Sequence, residues 1–299
     1  MGNKAILFVN VKKKYASDTS AFIQTELEKR GIETTTFSFD GKPEKQSAKK
    51  YDIAFSIGGD GTVLYAARCL APMGVPILPV NLGKLGFIAG VNRDDWLDIF
   101  NKWEKREISM SRRCMFEVSV ERASCIVMKN VCLNDIVISA SGIAKLINLD
   151  VHVNSGESVT ALGFYRSDGL IISTPTGSTA YSMAAGGPIL DPEMEAVILT
   201  PICPFSLSNR PFVLPSRQII EITVANEQRS GVLLTVDGQD TFKLECADKV
   251  FVQQAPKPAL LIYSGKQTYY SALLTKLFHS GDEKNAAVLG FGKEGDADA

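Results

Sequence analysis

The chain has 299 residues and a formal net charge of −1 at pH 7. This length predicts two ordinary domains rather than a single large one, each able to bury a core. Because acidic and basic residues balance, we expect neither a nucleic acid nor an anionic membrane surface as a partner. The six cysteines contain no CxxC pair and there are only two histidines, which argues against a cysteine–histidine zinc site.

No uncharged apolar stretch approaches the roughly 18 residues needed to span a bilayer. The first ten residues pass directly into a strand-like apolar run. We therefore expect a cytoplasmic protein whose thiols are reduced.

The first 110 residues alternate between strand and helix patterns, which is typical of parallel βαβ units. The predicted strands are residues 5–11, 32–39, 52–57 and 75–80. The predicted helices are residues 17–30, a segment ending near Leu70, and residues 94–103. Ser17 is the candidate N-cap of the first helix and Gly31 its candidate C-cap.

After about Met110 the pattern changes to a period of two. Apolar and polar residues alternate over residues 149–154 and 220–224, which predicts half-buried antiparallel strands. Asp237-Gly238, placed between two apolar runs, predicts a hairpin with a type I′ turn.

These patterns predict an α/β + β fold with no internal repeat. We expect an N-terminal Rossmann-like α/β domain with a parallel sheet in residues 1–110, and a C-terminal β-rich, sandwich-like domain in residues 111–262. A terminal helix, residues 271–279, is expected within a segment 263–280 that returns to the first domain, and residues 281–299 form a polar tail expected to be mobile.

One short motif, SIGGDGTVLY, follows the third predicted strand. Gly58, Gly59 and Gly61 surround Asp60 at the end of a buried strand and the start of a helix, where open α/β sheets bind ligands. The glycines allow backbone amides to approach an anion such as phosphate. A carboxylate beside phosphates is repelled unless it binds Mg²⁺ or accepts a proton from an attacking hydroxyl, so the motif favours phosphoryl transfer. A simple tight turn is the alternative.

A second motif, RSDGLIISTPTGSTAYSMAAGGPILDP, covers residues 166–192. A predicted strand is preceded by Asp168 and followed by a run of small and hydroxylated residues that includes Thr174 and Thr179 and leads to Tyr181. Such a run packs no core, but its backbone and hydroxyls suit the ribose and phosphate oxygens of a nucleotide. A flexible linker is the alternative.

A third motif is LNDIVIS. In it, Asn134 and Asp135 precede an apolar strand, and an ordinary turn at the start of a strand is the alternative interpretation.

Together and in this order, the three motifs resemble those of the NAD kinase family. GGDGT is shared with diacylglycerol, sphingosine and phosphofructokinases, whereas TPTGSTAYS followed by AGGPI is characteristic of NAD kinases. The resemblance covers about residues 5–263.

The resemblance implies a reaction and a set of site residues. Asp60 matches the catalytic base that deprotonates the 2′-hydroxyl of the adenosine ribose of NAD, with ATP as phosphoryl donor and Mg²⁺ bound through the ATP phosphates rather than by an assigned side chain. The implied nucleotide-binding residues are Gly58, Gly59, Gly61 and Thr62 at the phosphates, Leu82, Gly83 and Phe87 beside the adenine, Asn134 and Asp135 at the adenosine, Arg166 at a phosphate, Asp168 at the nicotinamide end, and Thr174, Thr179, Ala180, Tyr181 and Gln239 along the dinucleotide.

Three positions depart from the family pattern. Asp135 replaces the usual glutamate, which shortens the reach of the carboxylate by one methylene, about 1 Å. Phe205 and Lys84 each stand where many relatives have histidine. None of these changes removes the predicted base.

Some interpretations stay open at this point. Lys12, Lys13 and Lys14 follow the first strand and either bind donor phosphates or form a solvated surface. The resemblance implies a homodimer or homotetramer with contacts in the β-rich half. The alternative functions are another GGDGT-type kinase acting on a lipid or sugar phosphate, and a non-catalytic dinucleotide sensor.

Overall fold

The computed structural model describes residues 4–40, 51–83, 86–143, 145–262 and 266–278. The predicted loop 41–50, the tail after residue 280 and the departure at Lys84 lie outside the described residues. No helix in the described ranges is long and apolar enough to cross a membrane.

The first part of the chain alternates strands and helices, as predicted. Its elements are β1 (Lys4–Asn10), α1 (Ala16–Glu28), β2 (Glu33–Phe39), β3 (Ile53–Gly58), α2 (Asp60–Leu70), a 3₁₀ helix (Ala71–Met73), β4 (Ile77–Asn81), β5 (Val91–Asn92), α3 (Trp96–Glu104) and β6 (Met110–Arg113).

The remainder of the described chain is dominated by strands. Its elements are β7 (Phe116–Arg122), β8 (Cys125–Cys132), β9 (Asp135–Ala140), β10 (Ile147–Asn154), β11 (Val159–Ser167), β12 (Gly169–Ser173), a 3₁₀ helix (Thr176–Thr179), α4 (Tyr181–Ala184), β13 (Ala196–Ile202), β14 (Phe212–Pro215), β15 (Ile219–Val224), β16 (Val232–Val236), β17 (Asp240–Leu244), β18 (Lys249–Gln254), β19 (Ala259–Ile262) and α5 (Lys266–Phe278).

The first sheet has the strand order β2-β1-β3-β4-β19-β6, with β5 paired to the carboxyl end of β4. All of its pairs are parallel except β19 with β6. One face packs against α1 and α3, and the opposite face packs against α2. Because both faces are covered, β3 and β4 are buried along their whole length, which explains their continuous apolar runs.

Two six-stranded antiparallel sheets form the β-rich half, in the orders β11-β10-β15-β18-β7-β8 and β14-β13-β12-β9-β16-β17. Alternate residues of both sheets meet in one shared apolar core, as expected of a sandwich. The alternation predicted over residues 149–154 and 220–224 is confirmed. The hairpin prediction is also confirmed, with φ of 51° at Asp237 and 65° at Gly238 between β16 and β17. The α/β + β fold class is thus the observed one.

The chain passes between the two halves twice, at residues 113–116 and 254–259, and β19 returns to lie between β4 and β6. Strands of only four residues, such as β6 and β19, carry no local signal for the sheet they join. We propose that the α/β domain includes both strands, with the β-rich domain between them.

Two predicted helix starts were wrong. Tyr15, not Ser17, is the N-cap of α1, in a left-handed conformation with φ of 69° and no side-chain cap. The ammonium of the adjacent Lys14 and the guanidinium of Arg93 each lie 4.7 Å from its ring centre, so a contact remote in sequence, that of Arg93, accompanies this helix start. The terminal helix begins at Lys266, five residues before the predicted start at Ser271.

Candidate active site

The glycine loop lies at the carboxyl edge of the first sheet. Gly58 ends β3, Gly59 is the extended N-cap of α2, and α2 begins at Asp60. Gly58 is opposite Asn81, the last residue of β4. A β-carbon on Gly58 would overlap the hydroxyl of Thr62, so glycine allows this tight turn from strand to helix. The loop therefore exposes backbone and a helix N-terminus at the edge where such sheets bind ligands.

The carboxylate of Asp60 is held by three consecutive backbone amides. The N–H of Phe87 donates to Oδ2 at 3.0 Å, and the N–H groups of Ile88 and Ala89 donate to Oδ1 at 3.2 and 2.8 Å. Gly86 permits this approach, because a β-carbon there would overlap the same carboxylate. The amides fix the orientation of both oxygens.

The two carboxylate oxygens of Asp60 accept different numbers of these hydrogen bonds. Among the described residues, Oδ1 accepts two hydrogen bonds and Oδ2 accepts one. A carboxylate oxygen has two lone pairs, so Oδ2 keeps the capacity to accept from one further donor. The side chain is only partly buried, which allows a substrate hydroxyl to supply that donor.

The chain after β4 borders the same loop. The N–H of Leu82 donates to the carbonyl of Gly58 at 2.8 Å, and the N–H of Gly83 donates to Oδ1 of Asn81 at 3.0 Å. Phe87 is partly buried against the core beneath α2. The structure therefore brings the predicted adenine-side residues Leu82, Gly83 and Phe87 around the glycine loop.

A second group of predicted residues belongs to the β-rich half. Asp135 begins β9, Asn134 precedes it, and Thr174 follows β12, the strand paired with β9. The N–H of Thr174 donates to the carbonyl of Asn134 at 2.8 Å, and a β-carbon on Gly177 would overlap that carbonyl. The hydroxyl-rich run is therefore a tight turn packed on Asn134, and the linker alternative is wrong.

The same turn continues into the 3₁₀ helix and α4. Thr179 is buried, Ala180 is partly buried, and the ring of Tyr181 is 48% exposed. These residues thus run from the interior of the sandwich to its surface.

Some buried oxygens lack a hydrogen-bond partner among the described residues. They include Oδ1 of Asn134, Oγ1 of Thr176 and Oγ1 of Thr62. Buried polar atoms are normally paired, so an unpaired acceptor is a candidate for a hydrogen bond from a ligand. Thr62 differs from the other two, because its hydroxyl is packed beneath the glycine loop against Gly58.

Asp135 and Asp237 form a pair of buried acids beside this turn. Burial, with a smaller contribution from the neighbouring Asp237, raises the pKa of Asp135 to about 7. Burial also raises the pKa of Asp237 to about 6, an effect that three backbone amides and the nearby Arg68 oppose. The site therefore contains carboxyl groups that change charge near neutral pH.

Gln239 joins the two groups of residues. Its Nε2 donates to the carbonyl of Gly61 at 2.8 Å, and its Oε1 accepts from Nη2 of Arg68 at 2.9 Å. Gln239 therefore links the glycine loop directly to the hairpin turn of the β-rich half.

Arg166 and Asp168 are not part of this cluster. Asp168 precedes β12 and Thr174 follows it, a separation of about 20 Å at about 3.3 Å per residue. The guanidinium of Arg166 lies 4.9 Å from the ring centre of Phe205, and the N–H of Phe205 donates to the carbonyl of Arg166 at 2.8 Å. Asp168 thus lies at the opposite end of β12 from Thr174, and Arg166 lies in β11, a strand of the other sheet.

A basic cluster flanks the other side of the glycine loop. Lys12, Lys13 and Lys14 are exposed after β1, whose last residue, Asn10, neighbours Gly58. Arg93 joins them through the ring of Tyr15. Lys12 is also 3.8 Å from Asp40. The chain thus places basic side chains after the strand that neighbours the glycine loop.

The described residues contain no group of three or more histidine, cysteine, aspartate or glutamate side chains that could hold a metal ion. Mg²⁺ in nucleotide sites is bound through one or two carboxylates together with phosphates and water. The partly buried carboxylate of Asp60 beside a phosphate-accessible loop fits that mode.

Sequence reasoning missed several residues that shape this site, namely Arg68, Gly86, Gly177 and Asp237. A signal was present for two of them. Arg68 is an isolated charge in the apolar helix segment LYAARCL, and Asp237 precedes the predicted residue Gln239 by only two positions.

Comparisons with known proteins show the family of this chain. Residues 3–108 match the family model for the ATP-NAD kinase N-terminal domain, and residues 133–264 match that for the C-terminal domain. An NAD kinase of Treponema denticola is 39% identical over 93% of this chain and 97% of its own. The chain belongs to the NAD kinase family. The enzyme is therefore a phosphotransferase, and the predicted resemblance is confirmed.

Further relatives and solved structures extend the comparison. NAD kinases of Moorella thermoacetica and Geobacter sulfurreducens are 37% and 40% identical, over 94% and 76% of this chain and 92% and 78% of their own. Among solved structures, yeast NADH kinase complexed with NADH has a TM-score of 0.80 at 21% identity, over 95% of this chain and 90% of its own. An Archaeoglobus fulgidus NAD kinase in complex with ATP has a TM-score of 0.69 at 23% identity, over 90% and 96%. These structural likenesses show the shared fold.

Proposed function

We propose that the enzyme transfers the γ-phosphoryl group of ATP to the 2′-hydroxyl of the adenosine ribose of NAD, yielding NADP and ADP. The observation that carries the proposal is the placement of Asp60, a carboxylate oriented by three backbone amides at the N-terminus of α2, on a glycine loop that Gln239 links to the β-rich half. Membership of the NAD kinase family supports the substrates. So do the two related complexes, one with NADH and one with ATP.

In the proposed step, Oδ2 of Asp60 accepts the proton of the ribose 2′-hydroxyl while the hydroxyl oxygen attacks the γ-phosphorus. The bond from that phosphorus to the β–γ bridging oxygen breaks, and its electron pair leaves with ADP. An alcohol is a poor nucleophile at neutral pH, and general-base assistance contributes about 10²- to 10⁴-fold. The amides of residues 87–89 orient the carboxylate before the reaction, so little reorganisation is required.

The adenosine of NAD is proposed to bind beside Asn134 and Asp135. The buried and unpaired Oδ1 of Asn134 supports this assignment, because an adenine amino group is a suitable donor for it. Asp135 is 5% exposed at the same turn, and its carboxylate suits a ribose hydroxyl. Phe87 and Leu82 are proposed to border the adenine ring on the opposite side.

The nicotinamide half is proposed to extend along the β-rich sheet toward Asp168 and Arg166. Their separation from Thr174 supports roles at opposite ends of an extended dinucleotide. Tyr181, whose ring is 48% exposed, is proposed to line the path between them.

The triphosphate of ATP is proposed to lie against the glycine loop, with Lys12, Lys13, Lys14 and Arg93 neutralising its charge. Their position beyond Asn10, next to Gly58, supports this assignment. Mg²⁺ is proposed to be held through the ATP phosphates with Asp60 as the nearby carboxylate, and when bound it supplies charge neutralisation at the transferred group.

The enzyme is proposed to form a homodimer or homotetramer through its β-rich half. The loop between β13 and β14 supports this, because Phe205 and Leu207 are 71% and 82% exposed, and Phe212 and Val213, at the start of β14, are 42% and 45% exposed. Apolar surface of this kind is typical of an interface.

The proposed reaction is tested by NADP formation from NAD and Mg-ATP, read with an NADP-specific dehydrogenase, for the wild type and Asp60→Asn. In the variant an amide replaces the carboxylate, so we expect loss of turnover by about 10²-fold or more. Asp98→Asn is the matched control, because Asp98 is a first-turn acid of α3 that pairs with Lys102 at the surface. Wild-type rates in Asp60→Asn would overturn the base assignment.

The sensor alternative predicts a different result in the same samples. A sensor would bind NAD, seen as a rise in melting temperature with NAD alone, yet would yield no NADP with Mg-ATP. NADP formation by the wild type excludes it.

A further inference from the structure

Arg68 is a buried cation on the helix that begins at Asp60. Its side chain is 7% exposed, and it lies eight residues after Asp60, about two helical turns. The helix around it buries apolar residues such as Ala67 and Leu70. A guanidinium is rarely buried unless it is paired.

The partners of Arg68 all come from the hairpin turn between β16 and β17, in the β-rich half. Nη1 is 2.8 Å from Oδ2 of Asp240, Nη2 is 2.9 Å from Oε1 of Gln239, and Nε is 3.8 Å from Oδ2 of Asp237. One side chain of α2 thus donates two hydrogen bonds, to Asp240 and Gln239, and lies within ion-pair distance of Asp237, while its Nε has no hydrogen-bond partner among the described residues.

Asp237 carries this contact to the adenosine side of the site. Its carboxylate, whose side chain is 0% exposed, accepts the N–H groups of Leu133, Asn134 and Asp135 at 3.1, 2.8 and 3.2 Å. Its own N–H donates to the carbonyl of Asp135 at 2.9 Å. Arg68 is therefore connected through a single residue, Asp237, to the backbone that positions Asn134.

Gln239 carries the contact to the glycine loop. Its amide oxygen accepts from Arg68 and its amide nitrogen donates to the carbonyl of Gly61. Gly61 and Arg68 both belong to α2, so Gln239 bridges the start of this helix and the guanidinium further along it.

We propose that Arg68 is a positioning residue that sets the placement of Asp60 relative to the Asn134–Asp135 backbone. Arg68 acts through Asp237 and Gln239 and touches neither substrate nor the reacting atoms. The inference rests on the proposed function, in which those two groups hold opposite sides of the ribose.

The charged groups around Asp237 make the pH dependence of kcat/KM a test of the role of Arg68. The groups that face it in the described structure are Arg68 from α2, Asp135 from β9 and Cys132 from β8, with Asp240 next on its own hairpin. Loss of the Arg68 cation removes an influence that lowers the pKa of Asp237. A protonated Asp237 loses acceptor capacity toward the three amides.

Three variants separate positioning from general stability. Arg68→Met removes the charge and keeps much of the volume, whereas Arg68→Lys keeps the charge. Arg122→Met is the matched control, because Arg122 pairs at 2.7 Å with Asp248, whose side chain is also 0% exposed, in another hairpin of the β-rich half.

Steady-state kinetics is the first measurement. We expect Arg68→Met to lose about 10²-fold in kcat/KM for NAD, since displacements of about 1 Å cost this much. The acid limb of its pH profile moves to higher pH, and Arg68→Lys restores most of both. Arg122→Met stays within about two-fold of the wild type. Arg68→Met with wild-type kcat/KM and pH profile would overturn the inference.

Hydrogen exchange at the amides of Leu133, Asn134 and Asp135 is the second measurement, and it does not depend on turnover. We expect faster exchange in Arg68→Met than in Arg122→Met, compared at equal global stability. Unchanged protection would also overturn the inference.

Absence of NADP formation by the wild type would instead overturn the proposed function, and the exchange data would still decide the role of Arg68. If Arg68→Met does not fold, Arg68→Gln, which also removes the charge, carries both measurements, and unchanged kinetics and exchange in it would count against the inference.

Discussion

Gly86 lies so close to Asp60 that a β-carbon on the glycine would overlap the carboxylate. This contact lets the amides of residues 87–89 close around the carboxylate. We predict that Gly86→Ala separates the loop from Asp60, lowering kcat by about 10²-fold and the free energy of unfolding by about 1–3 kcal/mol.

Gly142→Ala is the control for this prediction, because a β-carbon there would lie 3.4 Å from its nearest neighbour, Cγ of Lys145. Kinetics and urea unfolding of the two variants provide the comparison. If Gly86→Ala behaved like Gly142→Ala, the 86–89 loop would not be what orients Asp60.

Gly59 offers a separate test of the phosphate-facing loop. Its φ is −135°, and a β-carbon there would meet no atom within 4 Å. We therefore predict that Gly59→Ala leaves the melting temperature unchanged while raising KM for ATP, because the methyl group obstructs backbone approach to phosphate. Melting curves and KM values for ATP and NAD distinguish the two effects. Unchanged KM for ATP would show that the phosphates lie elsewhere.

The raised pKa of Asp135 has a consequence for stability. In the folded chain its pKa is about 7, against an ordinary value of 3.8, so between these values the unfolded chain releases a proton that the folded chain retains. The unfolded state then binds fewer protons, and the free energy of unfolding falls as the pH rises through this window. Above about pH 7 both states are ionised and the decline ends.

We predict that Asp135→Asn reduces this decline, because an amide does not titrate. Urea unfolding of the wild type and the variant at about pH 5 and about pH 8 measures it. The variant should gain stability relative to the wild type at the higher pH. Asp98→Asn, at an exposed position, should not. A stability difference between wild type and Asp135→Asn that is constant with pH would contradict the prediction.

The features of this enzyme that could be predicted are those that depend on short sequence patterns. Backbone requirements of a few adjacent residues determine the glycine loop and the Asp237-Gly238 turn. Both are found at the positions predicted from the sequence. The contacts that complete the site join distant residues. Asp60 meets amides up to 29 positions away, and Arg68 meets Asp240 across 172 positions. No short pattern encodes such partners, because packing of the two halves selects them.

The exposed apolar loop at Phe205 leads to the last prediction. Phe205 stacks on Arg166, and Leu207 nearby is 82% exposed, so burial against a second copy would remove a substantial apolar area from water. We predict that Phe205→Ser combined with Leu207→Ser lowers the oligomeric state, measured by size-exclusion chromatography with light scattering. Ile143→Ser is the control, since Ile143 is 96% exposed in the loop between β9 and β10 and should leave the mass unchanged. A wild type that is monomeric, or a double variant of unchanged mass, would place the interface elsewhere or exclude it.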